Sequence, residues 1–189
     1  MNDVRNNKVI LLFGERGAGK TFYARNFLLQ YRQAHPEQKA LILDTFRSPK
    51  YLDLAAIEIE DIARWRNANT YVCWNSDTDK INAAVQQLYN ALIIYEDASK
   101  FFDSNQLPPD LKKYVIDTKQ KNVDILMLFH GYTFCPPKLF RLADEIIVMK
   151  TKDSPKNRKN DIPNYDYLMH CYQAIMDHPD PHARIHVKI

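Results

Sequence analysis

Residues 8–21 constrain this chain more than any other stretch. An apolar run, Val9 to Phe13, leads into Gly14-x-x-x-x-Gly19-Lys20-Thr21, and a segment with helical spacing follows at once. The complete G-x-x-x-x-G-K-[ST] pattern between a strand and a helix makes a cradle for phosphate groups. Its glycines let the backbone curl until successive N–H groups face an anion, and the positive end of the following helix adds to the attraction. Lys20 can reach the β- and γ-phosphates of a nucleotide, and the Thr21 hydroxyl can ligate Mg²⁺. The candidate nucleotide-binding residues are therefore Gly14, Glu15, Arg16, Gly17, Ala18, Gly19, Lys20 and Thr21, with Phe22 opening the helix. The chain has only four glycines and three stand in this loop, so the loop's own demands place them there.

The rest of the chain alternates two kinds of segment. Short, solid apolar runs read as strands covered on both faces: Lys8–Phe13, Lys39–Leu43, Thr70–Trp74, Ala91–Tyr95, Asp124–Phe129 and Glu145–Lys150. Between them lie segments of helical spacing: Thr21–Ala34, which His35-Pro36 closes, Asp77–Asn90, a helix from Pro108-Pro109 to about Gln120, and Pro136–Leu142. In Thr21–Ala34 the residues Phe22, Tyr23, Phe27 and Tyr31 read as helix packing against the sheet, though one of them could stack an adenine. Residues 45–69 are less regular, with short helices around a strand-like turn. Asn164–Met176 reads as a last helix and Ala183–Ile189 as an edge strand. None of the ten prolines falls inside a proposed strand. This alternation predicts an α/β fold, a mostly parallel sheet flanked by helices.

At 189 residues the chain suits a single domain spanning 1–189, with 151–189 as a C-terminal loop, helix and edge strand. No apolar run approaches the ~18–20 residues that span a bilayer, and Met1-Asn-Asp-Val-Arg lacks the apolar core of a signal peptide, so a cytoplasmic protein is expected. Cys73, Cys135 and Cys171 are odd in number and widely spaced, which suits reduced thiols. His170, Cys171, His178, His182 and His186 match no standard zinc spacing. A net charge of +3 does not by itself call for nucleic acid.

Ligands in such sheets sit beyond the carboxyl ends of the strands. Three polar features follow proposed strands there: the phosphate loop, the pair Glu96-Asp97 and His130. The stretch Leu92–Asp97 has the form of a strand delivering carboxylates to a metal, one acid holding Mg²⁺ with Thr21 and the other polarising the water that attacks the γ-phosphate. Thr21, Glu96 and Asp97 are thus the candidate metal residues.

The order of these elements resembles the FtsK–HerA superfamily of DNA-pumping ATPases, which have a RecA-like core. It looks most like the small genome-packaging ATPases of icosahedral viruses that enclose a membrane, and it is similar to the Zot-type assembly ATPases of filamentous phages. The resemblance runs over roughly residues 7–150. Its diagnostic part is Leu92–Met149, with Ala98, Phe101-Phe102, the stretch Lys119 to His130, and Leu142-Ala-Asp144-Glu-Ile-Ile-Val-Met. This chain departs from that pattern at three places: Lys119 stands where an arginine is usual, His130 where a glutamine is usual, and Glu96-Asp97 where the order is usually Asp-Glu. The resemblance implies an Mg²⁺-dependent ATPase working as a homo-oligomeric ring, a hexamer, that translocates DNA into a capsid and docks on a capsid or membrane protein. It puts the 124–129 strand between the 8–13 and 91–95 strands. By order Glu96 takes the metal, Asp97 activates water and His130 senses the γ-phosphate. Lys119, Arg141, Lys121 or Arg16 supplies the cation that completes a neighbour's site; lysine brings charge without arginine's planar fork.

Two other readings share the phosphate loop. A nucleotide or small-molecule kinase would place the acid-bearing strand directly beside the phosphate-loop strand and carry an arginine-rich lid. A slow nucleotide-dependent assembly scaffold would bind without brisk hydrolysis. The basic cluster Lys150, Lys152, Lys156, Arg158 and Lys159 reads as a mobile loop, either simply solvated or touching a nucleic-acid backbone in the channel of a ring.

Overall fold

The computed structural model describes residues 7–102 and 106–189; the Met1–Arg5 stretch lies outside them. One eight-stranded sheet organises the chain: β1 (Val9–Phe13), β2 (Lys39–Leu43), β3 (Ala55–Ala56), β4 (Thr70–Cys73), β5 (Ala91–Tyr95), β6 (Val123–Phe129), β7 (Glu145–Met149) and β8 (Arg184–Lys188). Their order across the sheet is β3-β4-β2-β5-β6-β1-β7-β8. All pairs are parallel except β7 with β8. β6 lies between β1 and β5, as expected, with Val9 opposite Ile125 and Ile93 opposite the same residue. The acid-bearing strand is therefore not the neighbour of the phosphate-loop strand, which removes the kinase-type arrangement.

The solid apolar runs follow from burial on both faces. Val9, Leu11 and Phe13 join one core cluster, while Ile10 and Leu12 join the other. The larger cluster is covered by α2 (Ile59–Ile62), α3 (Thr78–Val85), α4 (Pro109–Ile116), α6 (Pro137–Leu142) and α7 (Tyr165–Asp177). The smaller one is covered by α1 (Lys20–Ala34) and Tyr51. The short α5 (Thr118–Lys121) ends at Asn122, directly before β6.

Several expectations need correcting. The 108–120 helix is two pieces, α4 and α5, and the 77–90 helix is regular only to Val85. α1 packs through Ala24, Leu28 and Tyr31, whereas Phe22 is 68% exposed beside the phosphate loop. Residues 45–69 contribute a 3₁₀ turn (Pro49–Tyr51), the two-residue strand β3 and α2. The basic stretch after β7 is tied down rather than loose. Arg158 donates to the carbonyls of Tyr132 and Thr133 at 3.4 and 2.8 Å, Lys150 donates to the His178 carbonyl, and Pro155 is buried. Lys152, Lys156 and Lys159 remain exposed.

Candidate active site

β1 ends at the loop, and the loop wraps onto the first turn of α1. Gly17 and Gly19 have φ of 87° and 96°, the left-handed region that only glycine enters without strain. Gly14 donates to Phe129 O at 3.1 Å and Glu15 to Lys150 O at 2.8 Å, which pins the loop to the ends of β6 and β7. The first-turn N–H groups of α1 have no partner within the helix and face the loop's concave side. A Cβ on Gly17 would meet nothing within 4 Å, so the loop faces open space at that residue.

Lys20 folds back across the loop. Its ammonium donates to Gly14 O at 2.7 Å and Glu15 O at 3.1 Å and contacts His130 Nδ1 at 3.1 Å. Burial lowers its pKa to about 8 against the opposing pull of Glu96 and Asp97. That is a cation held short of negative charge, which a polyphosphate would supply.

The two acids leaving β5 part company. Glu96 continues the strand direction, accepting the Thr21 hydroxyl on Oε1 at 2.5 Å and the Tyr51 hydroxyl on Oε2 at 2.8 Å. Burial pushes its pKa up, and those two hydrogen bonds pull back. Asp97 adopts the left-handed conformation, φ 57° and ψ 62°, which turns its carboxylate elsewhere. It accepts the Ser99 hydroxyl at 2.7 Å and pairs with Lys100 Nζ at 2.9 Å, with His130 Nε2 3.8 Å away. Burial raises its pKa, but the Ser99 and Lys100 hydrogen bonds and the Lys100 charge outweigh that and hold it below the usual value. Asp97 is therefore ionised at neutral pH.

His130 links these halves. Burial, then the charge of Lys20, lowers its pKa. Lys20 can only donate, so Nδ1 accepts and the proton of the neutral ring sits on Nε2, facing Asp97. Lys20, His130 and Asp97 form one line of contacts across the mouth of the loop.

Three residues of this site carry no motif signal. Tyr51 is fully buried and bonds Glu96 across 45 positions of sequence. Asp44, buried at the end of β2, accepts the Phe46 and Ser48 N–H groups at 3.0 and 2.6 Å; Ser48 O in turn accepts the Tyr51 N–H, so this turn delivers the tyrosine. Lys100, stacked on the Phe46 ring, is the third. Two candidate cations stand away from the cradle. Lys119 lies on α5 at the amino end of β6, the opposite edge of the sheet from the loop, so within one chain it cannot reach the phosphates. Arg141 donates to Asn160 O at 3.1 Å.

The donors present fit a magnesium nucleotide: an open nest of amides, an ammonium awaiting negative charge, and hydroxyl and carboxylate oxygens side by side, the hard ligands Mg²⁺ prefers. Among the described residues, no group of three or more His, Cys, Asp or Glu side chains is arranged to hold a metal by itself.

No family model and no curated protein sequence matches the chain. Solved structures do. The genome-packaging NTPase of Sulfolobus turreted icosahedral virus 2, in complex with ATP-gammaS, superposes with a TM-score of 0.77 at 15% identity, covering 97% of this chain and 93% of that one. The DNA-packaging ATPase of Sulfolobus turreted icosahedral virus gives 0.66 at 14% identity over 89% and 86%. The conjugation coupling protein TcpA of pCW3 with ATPgS gives 0.55 at 10% identity, covering 86% of this chain and 53% of that chain. The chain has the fold of these P-loop ATPases.

Proposed function

We propose that the protein is an Mg²⁺-dependent ATP hydrolase that drives DNA translocation as a homo-oligomeric ring packaging a viral genome. The observation that carries the reading is the contact of Thr21 with Glu96 at 2.5 Å, which joins the phosphate loop to the acid-bearing strand across β6. Similarity of fold to two DNA-packaging ATPases supports the biological setting.

In this reading the loop amides and Lys20 bind and orient the triphosphate, and Thr21 with Glu96 holds Mg²⁺. Bound there, the metal would supply positive charge that offsets the negative charge of the phosphates. Asp97, kept ionised by Ser99 and Lys100, accepts a hydrogen bond from the attacking water and aligns it. His130 exchanges its contact with Lys20 for one to the γ-phosphate, so its ring reports whether that phosphate is present. Lys119, at the end of the sheet opposite the phosphate loop, is the candidate cation for a neighbouring subunit's site. The exposed Lys152, Lys156 and Lys159 are the surface offered to a nucleic-acid backbone.

The test is ATP turnover measured against protein concentration, with and without double-stranded DNA, alongside the mass of the assembly. Turnover should rise as the ring forms and again with DNA. A rate per subunit that responds to neither would sink the motor reading.

A further inference from the structure

The two free edges of the sheet are built differently. β8 presents Arg184, His186 and Lys188 at its surface, charged or polar side chains of the kind that keep an edge from pairing with another chain. β3 presents only Ala55 and Ala56, both exposed. Ile57 N–H donates to Val72 O at 3.0 Å, so by the alternation of a ladder the N–H and C=O of Ala56 face outward. We propose that β3 is a docking edge, to which an extended segment of a partner protein adds as a further strand and seats carboxylate side chains in the hollows on either side. β3 is five places from β1, about 24 Å at the usual strand spacing, so this surface is separate from the phosphate loop.

Two hollows flank this edge. One, of about 560 Å³, has Trp65, Tyr71, Arg64 and Arg66 in its wall; the other, of about 410 Å³, has Thr45, Arg47 and Trp74. Ala56, Ile57 and Glu58 line both, which makes the end of β3 the ridge between them. Trp65 belongs to the larger core cluster and Trp74 packs against the smaller one, so the two tryptophans serve opposite faces of the sheet. Successive side chains of a strand also point to opposite faces, so one added strand can fill both hollows. Main-chain bonds to Ala56 then hold the segment, and the hollows select its side chains.

The walls are short of acceptors. Trp65 Nε1, Trp74 Nε1 and Thr45 Oγ1 are buried without a hydrogen-bond partner, and elsewhere among the described residues only Asn7 and Tyr132 carry such atoms. Trp65 is only 6% exposed, and an unpaired N–H at that depth is costly until an acceptor arrives. Each indole also has a cation over its ring: Lys39 Nζ lies 5.7 Å from the Trp65 ring centre, and the Arg47 guanidinium 5.1 Å from that of Trp74. Arg47, Arg64 and Arg66 line the hollows against two acids, Glu58 and Asp61. An orphaned donor beside positive charge suits a carboxylate better than a neutral acceptor. Because the hollows serve opposite faces, the two acidic residues of the segment stand an odd number of positions apart.

The probe is a phage-displayed library of random decapeptides, selected on the full chain in saturating tripolyphosphate, which keeps acidic peptides off the phosphate loop. Enriched sequences should carry two acidic residues at odd spacing, and the free peptides should shift the emission of the chain's two tryptophans. Ala56→Pro removes an outward N–H that no ladder bond uses and should weaken such a peptide about tenfold; Trp65→Phe and Trp74→Phe, each losing one indole donor, should do the same. Should Ala56→Pro melt early, Arg47→Glu, on an exposed side chain, provides the substitute. A selection without enrichment, acids at even spacing, or peptides that bind the variants as well as wild type would overturn the docking edge. Self-association that Ala56→Pro abolishes, with no peptide enriched, would assign β3 to a second copy of this chain and overturn the partner.

Discussion

Replacing Tyr51 by Phe removes one oxygen and tests how Glu96, the carboxylate proposed to hold the metal, is positioned. The hydroxyl donates to Glu96 Oε2 at 2.8 Å, while Thr21 holds Oε1 at 2.5 Å. Phenylalanine fills the same fully buried space, so the backbone has no reason to move. A hydrogen bond to a charged group contributes about 1.5–3 kcal/mol, and losing one leaves Glu96 with a single partner in a site where burial already disfavours its charge. Groups that orient a metal ligand typically change metal affinity by about 10–100-fold when removed. The expected result is a Mg²⁺ half-saturation of ATP turnover raised about tenfold or more, with the limiting rate at saturating Mg²⁺ nearly restored. Nucleotide affinity measured in EDTA should not change. The sign of the pH effect is fixed too. The Tyr51 bond lowers a Glu96 pKa that burial raises, so without it the pKa climbs further and the acidic limb of turnover moves to higher pH. Superimposable Mg²⁺ titrations of wild type and Tyr51→Phe would refute the reasoning, because Glu96 would then be positioned without its buried partner.

Other expectations follow from the same geometry. Asp97→Asn should lower kcat about 100-fold or more with little change in ATP affinity, read by steady-state kinetics and calorimetry. If Lys119 acts on the neighbouring subunit, Lys119→Ala and Asp97→Asn proteins should each be nearly inactive and their mixture more active than either, since some interfaces then pair an intact Asp97 with an intact Lys119; a mixture no better than its components would assign Lys119 to the surface. Lys20, depressed to about 8 in the empty site, should regain its proton when phosphates arrive, so ATP binding takes up protons near pH 8–9 and weakens as pH rises through that range; calorimetry in buffers of different ionisation enthalpy measures the uptake. Gly131→Ala places a Cβ 2.3 Å from Asp153 Oδ2, which already accepts the Thr133 N–H and hydroxyl, and 2.7 Å from Asp153 Cβ, and should cost about 1–3 kcal/mol in denaturant unfolding; adding Asp153→Gly, which removes the atoms the new Cβ meets, should recover part of that loss.

What could be read in the sequence, and what could not, divides along the distance over which each residue's role is set. The phosphate loop is legible because its constraints are local: Gly17 and Gly19 stand where φ must be positive, and in so glycine-poor a chain they had little other reason to be there. The strands are legible because neighbouring residues such as Leu11 and Leu12 enter opposite cores, leaving no polar face to interrupt the run. The expectation that Phe22 packs on the sheet failed because helical spacing alone cannot say which apolar residue of a first turn faces the sheet and which stays exposed. Arg158 was misassigned because a charge run looks solvated until the carbonyls of Tyr132 and Thr133, some 25 positions earlier, are seen to receive it. Tyr51 gave no signal at all, its only distinction being a partner on another strand.

The order of the two acids shows the same division within a single dipeptide. β5 is two strands from β1, and adjacent strands lie about 4.8 Å apart, so a carboxylate at the end of β5 must reach across β6 to meet Thr21. Glu96 does so with its extra methylene and arrives at hydrogen-bonding distance of the Thr21 hydroxyl; an aspartate there would stop about 1.5 Å short. The next position faces a different demand. Its carboxylate must sit by His130, and the chain achieves this by turning Asp97 into the left-handed region, where a short side chain that can hydrogen-bond locally is tolerated and a longer one has no such compensation. Ser99 and Lys100, on the turn that follows, then supply the bonds that fix it. The long acid first and the short acid second is thus the order this backbone favours: reach sets the first, and the turn sets the second.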